Sequence, residues 1–126
     1  MSSTIIAGSR NIQDYELVKY AIEISNLQID QIISGGAKGV DILGERYAKE
    51  NNIPFKRYPA NWGRDGKRAG FLRNQKMAEN ADTLIAIWDG ESKGTEHMIS
   101  IMRKMNKKIF IFNMKNIDLK PDMFFD

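Results

Sequence analysis

The chain has 126 residues, of which 42% are hydrophobic and 28% charged, with a net charge of +3 and no cysteine. This length fits one domain, which buries roughly 65% of the surface of its unfolded chain and so holds a core without disulfides or a structural metal. The composition excludes a cysteine nucleophile and cysteine-based zinc sites, and a single histidine, His97, excludes the common multi-histidine metal sites.

Short β-branched runs alternate with amphipathic stretches of helical length, a pattern typical of an α/β fold with a mostly parallel sheet. In chain order, the pattern predicts a strand at 4–7, a helix at 11–26, a strand at 31–34, a helix at 38–51, an extended segment at 53–58, a loop at 59–66, a helix at 67–80, a strand at 82–88, a helix at 93–104 and a strand at 108–112. Pro54 favours a sheet edge for its segment, and the very apolar strand at 82–88 is expected at the centre. The prediction is a doubly wound, mainly parallel five-stranded sheet flanked by helices.

Side-chain positions on two helices complete this prediction. In the helix at 67–80, Phe71, Leu72 and Met77 are expected to face the core, and His97 is expected at the surface of the helix at 93–104. Residues 1–113 are assigned to the domain. Residues 114–126 show no clear period and are assigned to a C-terminal tail.

Three loops are candidates for a binding site, because ligands of doubly wound sheets bind beyond the carboxyl ends of the strands. Residues 8–10 combine a glycine, which allows close approach of the backbone, with an arginine that can bind phosphate or carboxylate. Residues 34–41 and 88–95 are glycine-containing turns that lead into helices, where backbone N–H groups and the helix dipole attract anions. An ordinary strand-to-helix turn is the alternative in each case, and residues 34–41 match neither the P-loop nor a strict GxGxxG motif. The predicted ligand-binding residues on these loops are Gly8, Ser9, Arg10, Ser34, Gly35, Gly36, Lys38, Asp41, Trp88, Gly90, Gly94 and Thr95.

The positive charge is concentrated between Lys56 and Lys76. This window has seven basic residues and one acid, a sum of +6, so the rest of the chain sums to −3. A local anion site and a solvated helix face are the two interpretations. Trp62 and Trp88 are candidates to stack on a base, and core packing is their alternative.

Four segments carry a resemblance to a known family: AGSR, DYELV, SGGAKGVDILGERYAKENNIPFKRYPANW and GKRAGFLRNQKMAENADTLIAIWDGESKGT. In this order they resemble the YspA/YpsA-related branch of the SLOG superfamily, the Rossmann-like group that includes the LOG phosphoribohydrolases and the DNA-processing protein A family. The resemblance covers about residues 5–112. It implies a Rossmann-like sheet and a pocket for a nucleotide or nucleotide-derived ligand, with phosphate near the Gly35–Gly36 and Gly94–Thr95 turns.

The same resemblance adds a helical motif to the site. LOG enzymes, which release a free base from a nucleoside 5′-monophosphate, carry an Arg-Lys helix motif and a Gly-Gly-x-Gly-Thr-x-x-Glu turn. Arg73 matches the arginine, and Asn74 stands where LOG has lysine. Gly90, Gly94 and Thr95 match the turn, which has two extra residues here. The resemblance therefore places Arg73 and Asn74 in the ligand-binding set.

One catalytic feature of LOG is missing. Met98 stands where the glutamate is expected, and the nearest carboxylate, Glu96, is rotated from that position by roughly 200° around a helix. Cleavage of an N-glycosidic bond requires a carboxylate that stabilises positive charge or activates water. Asp41 and Asp89 are possible substitutes on the strand-end loops. The candidate catalytic residues are Arg73, Asp41 and Glu96.

Three functions remain open at this stage. The leading hypothesis is binding or sensing of a nucleotide-derived small molecule, the second is a nucleotide N-glycosidase of LOG type, and the third is binding of single-stranded nucleic acid. The sequence indicates no cofactor and no metal site, and a homo-oligomer stays open. Since no apolar run approaches the ~20 residues of a membrane span and no signal peptide is visible, we expect a cytoplasmic protein without a membrane partner.

Overall fold

One sheet of six strands is the centre of the computed structural model, which describes residues 2–114 and 122–125. Its strands are β1 (Ser3–Gly8), β2 (Gln31–Ser34), β3 (Phe55–Arg57), β4 (Thr83–Trp88), β5 (Lys108–Asn113) and β6 (Asp122–Phe125). They lie in the order β3-β2-β1-β4-β5-β6, and β1 to β5 are parallel. This arrangement confirms the predicted Rossmann-like α/β sheet, with β4 in the centre and β3 at an edge.

Helices cover both faces of this sheet. They are α1 (Tyr15–Ser25), α2 (Val40–Glu50), the short α3 (Trp62–Asp65) with the 3₁₀ turn Gly66–Arg68, α4 (Ala69–Asn80) and α5 (Lys93–Lys104). One core cluster joins the sheet to α1 and α2, and the other joins it to α4 and α5. The isoleucine-rich strands serve both clusters because successive side chains point to opposite faces. No described helix is long and apolar enough to cross a bilayer.

The sixth strand was not predicted. β6 pairs antiparallel with β5, with Phe110 opposite Phe125 and Asn113 opposite Asp122. A four-residue edge strand is too short to show a period of its own, and its pairing depends on the exposed edge of β5. The assignment of residues 115–121 and 126 to a tail concerns residues outside those described.

The inward face of α4 differs from the prediction. Phe71 and Leu72 are 55% and 42% exposed, whereas Met77 is buried as expected. Ala69, Asn74 and Ala78 occupy the remaining inward positions. A buried asparagine interrupts the apolar stripe, and for this reason hydrophobic periodicity alone placed Phe71 and Leu72 wrongly.

Candidate functional site

The candidate site lies at the carboxyl ends of β1 and β4, where the strand order reverses. Crossovers leave these two adjacent strands towards opposite faces, which opens a crevice between them. A cavity of about 240 Å³ lies there, and we call it the switch-point cavity. Seven of the predicted site residues line it, namely Gly8, Arg10, Asp41, Arg73, Asn74, Gly94 and Thr95.

Other predicted residues lie around this cavity without lining it. Ser9 is buried, and its Oγ accepts a hydrogen bond from the Asp89 amide (3.0 Å). The Trp88 indole is half-buried and donates to the Ser92 carbonyl (3.1 Å), so its polar edge is already used. Lys38 and Glu96 are exposed. Ser34 is the last residue of β2, and Gly35 and Gly36 begin the turn that follows it. Gly90, the remaining member of the predicted set, has a positive φ of 84° in the turn after β4.

Arg73 links α4 to the turn after β2. Its Nη1 donates to the Gly35 carbonyl (2.6 Å), and its Nε donates to Asn74 Oδ1 (3.1 Å). Burial lowers the pKa of the guanidinium, which nevertheless remains a cation because its ordinary pKa is so high. The side chain is thus fixed at the crevice with its positive charge retained.

Asn74 extends the same network to α5. Its Nδ2 donates to the Gly94 carbonyl (3.3 Å) and lies 3.1 Å from His97 Nδ1. His97 is half-buried rather than exposed as expected, and burial lowers its pKa, which favours the neutral ring that can accept this hydrogen bond. The Asn74 amide therefore connects α4, the helix of Arg73, to the first turns of α5.

Asp41 is the buried carboxyl of the cavity. It is 6% exposed, and its Oδ2 accepts from the Ala37 amide (3.2 Å). Burial raises its pKa to about 6, although the Ala37 amide and the cations Arg73 and Arg10 act in the opposite direction. Near neutral pH this carboxyl can therefore change its protonation state.

We expect the Asp41→Asn variant to be more stable than the native protein at pH 8. The pKa of Asp41 in the folded protein lies above its ordinary value of 3.8, so the folded chain binds this proton more tightly than the unfolded chain does. The native protein therefore loses stability as the pH rises from about 4 through 6, whereas asparagine has no proton to lose. The expected gain at pH 8 is about 1 to 3 kcal/mol, and it shrinks as pH falls towards 4. Urea denaturation at several pH values measures it.

Asp89→Asn is the matched control for this pH dependence. The Glu91 and Ser92 amides donate to Asp89 Oδ1 and lower its pKa, Glu91 most strongly. Its charged form stabilises the fold above the unfolded pKa, and this contribution is lost as pH falls. Asp89→Asn should therefore lower stability at pH 8. If both substitutions raised the stability at pH 8, or both lowered it, the raised pKa of Asp41 would be contradicted.

Buried Glu45 and exposed Arg57 form an ion pair behind the site that the sequence did not reveal. Glu45 accepts from the Ser34 hydroxyl (2.7 Å) and from Arg57 Nε (2.9 Å). Burial alone would raise the pKa of Glu45, but hydrogen bonds from Arg57 and Ser34 outweigh it and lower the pKa. The pair holds the end of β2 against α2. The three residues belong to β2, α2 and β3, so the periodicity of any one element could not have indicated the contact.

Two backbone amides in the turn after β2 donate hydrogen bonds to side chains of the same segment. The Gly36 amide donates to Ser34 Oγ (3.0 Å), and the Ala37 amide donates to Asp41. These two N–H groups, which the sequence suggested as anion donors, are therefore engaged within the chain. Positive charge at the cavity comes instead from the side chains of Arg10 and Arg73.

The start of α5 forms the opposite wall of the cavity. Ser92 caps this helix, because its Oγ accepts from the Thr95 amide (3.5 Å). The positive end of the helix dipole therefore faces the crevice beside Gly94. Within the described ranges, 2–114 and 122–125, no three acidic or histidine side chains cluster as a metal ion would require.

Comparison with known sequences identifies relatives. The model of the YspA, cpYpsA-related SLOG family matches residues 4–64, which contain β1 without its first residue, β2, β3 and the first two strand-end loops. The gene 61 protein of Mycobacterium phage D29 is 32% identical over 124 residues, which covers 91% of this chain and 99% of the phage protein.

Comparison with solved structures identifies the same kind of sheet. The X-ray structure of DNA processing protein A (DprA) from Streptococcus pneumoniae superimposes with a TM-score of 0.68 at 16% identity, over 87% of this chain. The match covers 49% of the DprA chain, so this protein spans about half of it. At this identity the likeness shows a shared fold.

Proposed function

Because the chain belongs to the YspA, cpYpsA-related SLOG family, we propose that its switch-point cavity binds a nucleotide or a nucleotide-derived ligand. One observation carries the proposal. Arg73 is a partly buried cation, fixed by the Gly35 carbonyl and by Asn74 at the crevice where doubly wound sheets bind their ligands.

The charges around the cavity fit a phosphate. Arg10 and Arg73 supply two cations, and the N-terminal end of α5 adds the positive pole of its dipole. Asp41 is the buried acceptor of the cavity, and a carboxylate in such a position suits the hydroxyl groups of a ribose. We therefore assign the phosphate to the arginines and the sugar to Asp41.

A thermal-shift panel tests this function. The probes are AMP, GMP, ADP-ribose and NAD⁺, each at about 1 mM, and adenosine without phosphate serves as the control. A ligand with a dissociation constant near 10 µM should stabilise the protein by roughly 2.7 kcal/mol, which raises the melting temperature by about 4 to 8 °C for a domain near this size. A panel without any shift would contradict the proposal.

The buried carboxyl favours a second candidate, an N-glycosidase of LOG type. A pKa of about 6 for Asp41 suits a general acid or base near neutral pH. Met98, which stands where the LOG glutamate is expected, also lines the cavity, so Asp41 is the carboxyl that remains there. Chromatography of AMP incubated with the protein tests this candidate. Adenine should be released by the native protein and by Glu96→Gln but not by Asp41→Asn, and no release by the native protein would contradict it.

A further inference from the structure

A second and larger cavity lies beside the switch-point cavity. Its volume is about 570 Å³, and Tyr58, Trp62, Arg64, Arg73 and Lys76 are among its lining residues. We call it the Trp62 cavity. Arg73 lines both cavities, and a third space of about 250 Å³ shares lining residues with each of them. The three spaces therefore adjoin one another around Arg73, which lines each of them, and we call them together the groove.

Trp62 presents an aromatic surface in this groove. It is 54% exposed, although large aromatic side chains usually pack into a core. Gly70 of α4 lies beneath it, and a Cβ at that position would come 3.6 Å from the indole ring. An exposed indole beside cations is the arrangement on which nucleic-acid bases stack, and stacking accepts any base because every base has a π-face.

The charge of the Trp62 cavity fits an anion. Arg64 is exposed and paired with Asp65, whereas Lys76 forms no ion pair among residues 2–114 and 122–125. Arg73 adds a third cation at the junction with the switch-point cavity. A ligand that occupies the groove can therefore carry negative charge near its middle as well as in the switch-point cavity.

We propose that the groove is one site for a dinucleotide, with one nucleotide in the switch-point cavity, the linking phosphates at Arg73 and the second base stacked on Trp62. This inference rests on the proposed function and specifies its ligand class. The switch-point cavity alone, at about 240 Å³, is smaller than the roughly 300 to 1,000 Å³ of most ligand pockets. The Trp62 cavity beside it adds a volume of about 570 Å³, so the groove as a whole is large enough.

Calorimetric titration of four probes tests the proposal: AMP, GMP, diadenosine diphosphate and diguanosine diphosphate. The better dinucleotide should bind about 10-fold more tightly than its mononucleotide, because a stacked base contributes that much to affinity. Trp62→Ala should abolish this advantage and leave mononucleotide affinity unchanged, whereas Trp62→Phe should retain most of it. Tyr20→Ala, which removes an aromatic side chain that is 47% exposed on α1, should retain all of it.

The outcomes separate this inference from the proposed function. If a mononucleotide binds but the dinucleotide has no advantage, or an advantage that survives Trp62→Ala, the two-part site is wrong and the proposed function stands. If none of the four probes binds, this inference fails, and the proposed function fails with it when ADP-ribose and NAD⁺ give no thermal shift either. Tighter binding of a ten-nucleotide DNA strand than of either dinucleotide, with steep loss of affinity in salt, would replace the dinucleotide by single-stranded nucleic acid.

Discussion

Arg73→Ala should weaken the binding of AMP by about 100-fold while the protein remains folded. A hydrogen bond to a charged group contributes about 1.5 to 3 kcal/mol, and Arg73 is one of two cations at the cavity. Its loss also frees the Gly35 carbonyl and Asn74 Oδ1, which the guanidinium now holds in place. Calorimetric titration measures the affinity, and circular dichroism with a melting curve confirms that the variant folds.

Two further variants make this result specific. Arg68→Ala removes an exposed basic residue from the same basic segment, outside the described cavities, and should leave AMP binding unchanged. Arg73→Lys keeps the charge but loses the planar fork, so it should restore only part of the affinity. Equal losses in Arg68→Ala and Arg73→Ala would show that the overall charge, rather than the position of Arg73, attracts the nucleotide.

Gly8→Ala should destabilise the fold by about 4 kcal/mol, a large fraction of the roughly 5 to 15 kcal/mol that keeps a domain folded. Gly8 pairs with Ile87 in the two central strands. A Cβ at Gly8 would overlap the Ile87 carbonyl oxygen and would come 2.8 Å from Val40 Cγ2. Neither β4 nor α2 can move away without loss of sheet pairing and core packing. Urea denaturation measures the effect.

Gly94→Ala is the matched control for this substitution. Gly94 lies in the first turn of α5, and a Cβ there would meet nothing within 4 Å. The same chemical change should therefore stabilise the protein by about 0.4 to 1 kcal/mol, because alanine restricts the unfolded chain more than glycine does. A loss of stability in Gly94→Ala similar to that in Gly8→Ala would contradict the steric explanation for Gly8.

Two backbone amides in the turn after β2 already have partners within the chain, so our proposal assigns the anion to the side chains of Arg10 and Arg73. The sequence suggested a glycine-rich backbone cradle, yet the Gly36 and Ala37 amides donate to Ser34 and Asp41. The Gly35 carbonyl of the same turn accepts a hydrogen bond from Arg73. The assignment of the anion to these arginines explains why we expect a substitution at Arg73 to weaken binding so strongly.

Local sequence patterns were sufficient to predict the α/β class, the parallel strands and the loops at their carboxyl ends. These features follow from local patterns, because β-branched runs and helical periodicity describe neighbouring residues along the chain. The geometry of parallel strands then places the three loops at one edge of the sheet. Arg73 entered the predicted site through a family resemblance, because its own position in a helix indicated no function.

Tertiary structure decided the contacts between residues that lie far apart in the chain. Arg73 contacts Gly35 across 38 residues, Asn74 lies beside His97 across 23, and β6 pairs with an edge that β5 provides. Tertiary contacts also placed Phe71 at the surface and Asn74 inside. The buried Asn74 amide is satisfied by a hydrogen bond to α5, which hydrophobic periodicity does not take into account. Periodicity reports which face of an element is apolar, whereas the partners of a polar side chain exist only once the chain has folded.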